Sequence, residues 1–233
     1  MIARLSATTT IREQHAYNRL FGGVLADRGG SSVGTDRLVT VGIAATTGVV
    51  LAGTAAQLIG YGLFHGRVPA LDSASDGGLF GLVGGISITA ATLAAWIVSV
   101  RVRPLTLAMV ALPPLLTFLT VDKVVRLHDQ IPHWLLFYLP VLAATFVAAA
   151  ATARRLSPRC VRLTAVALAL LIGSFLLHQY GEWLLDHLVG SATGWWFQVK
   201  AVVKHGLEVA GWLLVALGLA VGLREHDRPR VSV

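Results

Sequence analysis

Six apolar blocks, each long enough to cross a bilayer, constrain this chain more than anything else in its sequence. They run from about Leu38 to Phe64, Leu79 to Val100, Leu105 to Val121, Trp134 to Ala153, Leu163 to Leu185 and Ala201 to Leu223. A hydrocarbon core about 30 Å thick needs roughly 20 such residues in a helix. In lipid every backbone polar group must be satisfied within the segment or by a closed barrel, and none of the blocks alternates as a barrel strand does. The expectation is an all-α, polytopic integral membrane protein, a six-helix bundle. Pro113 and Pro114, inside the third block, predict a kink there. Residues 1–37 read as an N-terminal segment, 38–223 as the membrane domain and 224–233 as a tail.

Composition agrees with this reading. The chain is 55% hydrophobic and only 13% charged, too apolar for a soluble domain of 233 residues. The net charge of +7 would suggest nucleic acid in a soluble protein, but here the excess flanks the apolar blocks, and a nucleic-acid partner is not expected. The single cysteine, Cys160, excludes an internal disulfide and a thiolate-rich metal cluster. The opening MIARLSATTTIREQ lacks the apolar core of a signal peptide, so the N-terminus is expected to be retained.

Fourteen of the 19 Lys and Arg residues lie in the N-terminal segment, the second and fourth connections and the C-terminal tail. The other five, Arg67, Lys123, Arg126, Lys200 and Lys204, lie toward the opposite side. The positive-inside rule then predicts both termini in the cytoplasm, and a multi-pass protein of a bacterial inner or plasma membrane. In IREQHAYNRLFGGVLADR, Tyr17, Leu20, Phe21 and Val24 recur at helical spacing between arginines, which predicts an interfacial amphipathic helix. The stretch from Gly29 to Gly34 reads as its hinge, and HGRVPALDSASDGG as a turn-rich outer loop.

Against this apolar background a few ionisable residues stand out: Asp122, His178, Glu182, Lys204, His205 and Glu208. Such groups are costly inside a bilayer unless paired, hydrated or bound. Counting from the basic anchor of each helix at about 1.5 Å per residue puts all of them about 24–30 Å along, in the outer third of the membrane. His178, Glu182 and Asp186 share one helix face at i, i+4, i+8, and His205 and Glu208 are neighbours at i, i+3. His128, with Arg126, Asp129 and His133, lies slightly farther out, at the mouth of the same layer.

Imidazole plus carboxylate is a ligand set for zinc, iron, manganese or copper, and a cation would offset several desolvated carboxylates. His178, Glu182, His205, Glu208 and His128 are therefore candidate ligands of a transition-metal ion, with Asp122, Glu182 and Lys204 as candidate catalytic groups. In a hydrolytic version the metal acidifies a bound water and Asp122 or Glu182 accepts its proton. In a redox version the histidines hold iron or copper and electrons pass to a partner protein. The expected function is metal-dependent oxidoreductase or hydrolase chemistry on a lipid-soluble or extracytoplasmic substrate. His precedes the carboxylate on both helices, unlike the Glu-x-x-His order of four-helix di-iron proteins.

Three alternatives use the same residues. Asp122, Glu182, Asp186 and Glu208 nearly balance Lys123, Arg126, Lys200 and Lys204, so the layer could be a self-neutralising network tying helices together. It could serve a proton- or ion-coupled transporter or channel, although the inner halves of the spans carry almost no polar side chains. It could also belong to an accessory subunit with His178 and His205 on one b-type haem. Partners beyond the bilayer are then a membrane protein or a second copy of the chain. Gly77, Gly81 and Gly85, and Gly218 with Gly222, read as close helix packing or subunit contact, and Trp134, Trp183, Trp195 and Trp196 as an interfacial belt. No G-x-S-x-G, H-E-x-x-H, Walker or dinucleotide fingerprint occurs, which removes the common hydrolase, zincin, ATPase and Rossmann readings.

Overall fold

The computed structural model describes residues 30–64, 78–190 and 194–227, without the side chains of residues 30–33, 128 and 129. All regular elements among them are helices: α1 (Gly30–Phe64), α2 (Leu79–Arg101), α3 (Leu107–Val125), the single turn α4 (Leu127–Gln130), α5 (Trp134–Leu156), α6 (Pro158–Val189) and α7 (Gly194–His226). Six are long and apolar enough to cross a membrane, as the apolar blocks require. The expected amphipathic helix around Tyr17 to Val24 and the outer loop after Phe64 lie outside the described residues. The chain divides into two compact units, 1–40 and 41–233. Of the first, the described part is the opening of α1, where Thr40 Oγ1 donates to the Asp36 carbonyl.

Local chemistry sets the helix ends. Thr106 caps α3, its Oγ1 accepting from Met109 N–H at 3.4 Å. Ser157 caps α6 by accepting from Cys160 N–H at 3.2 Å, with Pro158 at the first helical position, where its missing N–H costs nothing. Both caps let a helix start abruptly. Arg126 ends α3 in the left-handed region (φ 57°), and its N–H closes on the Asp122 carbonyl. Pro113 and Pro114 fall within α3, which runs unbroken from Leu107 to Val125.

α7 is the central helix: 61% of its most apolar stretch is buried, against 6% for α1, whose Leu51, Leu58 and Leu63 face outward. Lipid is as apolar as leucine, so packing here depends on close approach and polar bridges rather than on removal from water. Gly218 and Gly222 provide the close approach expected of their spacing. A Cβ at Gly222 would lie 2.9 Å from the Cβ atoms of both Leu156 and Cys160. The antiparallel α6 and α7 are also joined near both ends by ion pairs, Arg159–Glu225 at 3.3 Å and Lys200–Glu182 at 3.0 Å. Hydroxyl bridges join α2 to α3: Thr92 Oγ1 lies 2.8 Å from Thr120 Oγ1, and Trp96 Nε1 donates to Thr117 Oγ1 at 3.2 Å. α1 joins α7 through the Gln57 amide, which donates to Gln198 Oε1.

Candidate functional site

Along α3 the buried residues Met109, Leu112, Leu116, Leu119 and Asp122 follow one helical stripe. Lys123 continues the Leu112, Leu116, Leu119 spacing, so this helix carries a charge of each sign into the bundle. Both residues meet α6 and α7 at a cavity of about 440 Å³. Its polar wall consists of Asp122 and Lys123 from α3, Ser174 and His178 from α6, and Lys204 and Glu208 from α7. The apolar wall includes Trp134, Tyr138, Leu142 and Phe146 from α5, Phe175 from α6 and Trp212 from α7. The cavity lining thus combines ionisable side chains with aromatic and aliphatic ones.

The ionic wall has a definite pairing. Lys123 Nζ donates to Glu208 Oε1 at 2.7 Å, linking α3 to the middle of α7. His205 Nδ1 lies 3.5 Å from the other oxygen, Glu208 Oε2, and its ring stacks on Phe80 with centroids 6.1 Å apart. Glu208 is therefore held from two sides. Ser174 Oγ donates to the Lys204 carbonyl at 2.9 Å, fixing the α7 backbone where Lys204 joins the cavity wall. His178 meets the Trp134 ring at 6.0 Å between centroids, and Trp134 stands edge-on to Tyr138 at 5.6 Å.

Of the residues singled out from sequence, Asp122, His178, Lys204 and Glu208 share this cavity wall, and His205 lies behind Glu208. Glu182 is elsewhere: it is 68% exposed and pairs with Lys200, which in turn lies 4.4 Å over the Phe197 ring. His128 belongs to α4, and its side chain is outside the described residues. Among the described residues no three His, Cys, Asp or Glu side chains are gathered so as to hold a metal ion. From sequence alone Lys123 is only one of four general counter-charges, and Ser174, Tyr138 and Trp212 do not stand out. The signal for Lys123 was its continuation of the buried leucine stripe.

Comparison with known protein families, characterised proteins and solved structures finds no match to this chain. The class that the fold defines is a multi-pass helical membrane protein, and the chemistry must be argued from the cavity alone.

Proposed function

We propose that this protein receives an amphipathic, lipid-soluble molecule in the cavity between α3, α5, α6 and α7, with the polar end of that molecule on the ionic wall. The observation that carries this reading is one cavity lined both by the ionisable Asp122, Lys123, His178, Lys204 and Glu208 and by aromatic and aliphatic side chains. Small-molecule sites are typically apolar concavities of about 300–1,000 Å³ with a few convergent polar groups, and about 440 Å³ falls in that range. Ionisable residues in a membrane interior are by default functional when they line a cavity. Both termini are cytoplasmic in this reading, and the ionic wall lies toward the outer leaflet, supported by the arginine bias.

The test is lipid extraction and mass spectrometry of the purified protein, beside Ala143→Trp, which adds bulk to the α5 side of the cavity and leaves every charged residue in place. The wild type should retain a defined amphiphile and the variant should lose it. Equal retention by a correctly folded variant rejects the cavity as the site. A second reading, a transition-metal ion for redox or hydrolytic chemistry, is favoured by the His205–Glu208 contact at 3.5 Å; among the described residues no third His, Cys, Asp or Glu joins that pair, so His178 would have to move to complete the set. Elemental analysis of the same preparation decides it, since stoichiometric metal that survives in His178→Ala would remove that assignment.

A further inference from the structure

The cations around the cavity are not equivalent. Lys123 is matched by Glu208 at 2.7 Å, and Lys200 by Glu182 at 3.0 Å. Asp122, on the same wall, already has a partner of its own. Lys204 is the exception: it lines the cavity and, among the described residues, makes no ion pair. Its electrostatic neighbours are Glu208, which attracts it, and Lys123 and Lys200, which repel it. The carboxylate of Glu208 is already shared between Lys123 and His205, and that of Glu182 is taken by Lys200, so the carboxylates nearest Lys204 along α7 and α6 are committed. An ammonium in that position, in a membrane interior, calls for a negative charge that the described side chains do not provide.

The cavity is the place from which such a charge could come. Resting on the reading of the cavity as an amphiphile site, we propose that its ligand carries an acidic headgroup, a carboxylate or a phosphate, which pairs with Lys204 while its apolar chain lies along Trp134, Leu142 and Phe146. Ser174 fixes the Lys204 backbone, so the cation is presented from a constrained turn of α7 rather than from a loop. Lysine suits a headgroup of either geometry, because its ammonium acts as a point charge with three donors and imposes no planar fork. The chain-binding wall supplies affinity and Lys204 supplies headgroup selection.

The experiment uses the full-length protein in nanodiscs of zwitterionic phosphatidylcholine, with a bromine-labelled long-chain fatty acid quenching the tryptophans of the cavity. Matched probes are an alkyl phosphate and a fatty alcohol of the same chain length, with inorganic phosphate and butyrate to test a free anion. Wild type should bind the two acidic amphiphiles about tenfold or more tightly than the alcohol, and the free anions should not compete. Lys204→Gln should lose that preference while still binding the alcohol, which also shows that it is folded, and Lys204→Arg should keep it. If acid and alcohol bind wild type equally, or Lys204→Gln keeps the preference, the headgroup assignment fails and the cavity reading stands. Competition by free phosphate or butyrate would also overturn it, by making the ligand a soluble anion. Unchanged binding of every amphiphile to Ala143→Trp would instead sink the cavity reading itself.

Discussion

The Lys123–Glu208 pair permits a quantitative test of how the ionic wall holds the bundle. At 2.7 Å the Coulomb attraction is about 6 kcal/mol for an effective dielectric near 20, most of which offsets the cost of desolvating both charges. The two side chains are 26% and 18% exposed, so neither is free to be solvated again where it stands. Removing one partner should therefore cost about 3–5 kcal/mol, because it strands the other. The two single variants should differ. After Lys123→Met the carboxylate keeps His205 at 3.5 Å and is released toward Lys204, which places that variant at the low end, at or below about 3 kcal/mol. After Glu208→Gln, Lys123 and Lys204 share a wall without the carboxylate between them, which places that variant near 5 kcal/mol. The double variant Lys123→Met/Glu208→Gln strands only Lys204, which is unpaired already, and should cost no more than about 2 kcal/mol. Reversible unfolding in mixed micelles, titrated with dodecyl sulfate, measures all three. The reasoning is refuted if the double variant costs the sum of the singles within about 0.5 kcal/mol, the signature of independent sites.

Two further outcomes follow from the packing and from the charge pattern. Gly222→Ala should destabilise by about 1–3 kcal/mol, since its Cβ would press on Leu156 and Cys160, whereas Gly85→Ala, with nothing within 4 Å of the new Cβ, should be neutral or slightly stabilising; thermal denaturation in detergent compares them. A reporter fused after Val233 should be active only in its cytoplasmic form, and an extracytoplasmic signal there would invert the assignment of the ionic wall to the outer leaflet.

The helices were legible in the sequence because apolar length alone decides them in lipid, but their ends were not: α1 starts eight residues before its apolar block and α7 seven before its own, while α3 starts two residues later. The extension of α6 has local causes. Ser157 and Pro158 start α6 five residues before the apolar run at Leu163, and Gly190, at φ 67°, lets it continue to Val189. The sequence could also order residues along each helix, and Asp122, His178 and Glu208 line one cavity. It could not supply rotation about the helix axis. His205 follows Lys204 by one residue, about 100° of turn, and that step takes it off the cavity wall and onto Phe80. Glu182 lies on the His178 face, but one turn farther out α7 offers Lys200, and the carboxylate pairs there instead.

What a periodicity argument misses is therefore the partner rather than the residue. An i, i+4 row shows that two side chains point the same way, while the neighbour that meets them is set by which helices touch. Lys123 illustrates this: on α3 alone it is a charge ending a leucine stripe, and only contact with α7 makes it the counter-ion of Glu208. That pairing in turn leaves Lys204 without an ion pair, and the chemistry proposed for the cavity rests on it. A sequence that placed a second carboxylate one turn from Lys204 and facing it would have closed the wall upon itself. Here the i+4 carboxylate is Glu208, already held by Lys123 and His205. The headgroup preference is thus tied to the ion pair: Lys123→Met should release Glu208 toward Lys204 and weaken binding of acidic amphiphiles, although Lys123 itself contacts no headgroup in this arrangement. An unchanged preference in Lys123→Met, measured with the same acid and alcohol probes, would show that the two features are independent.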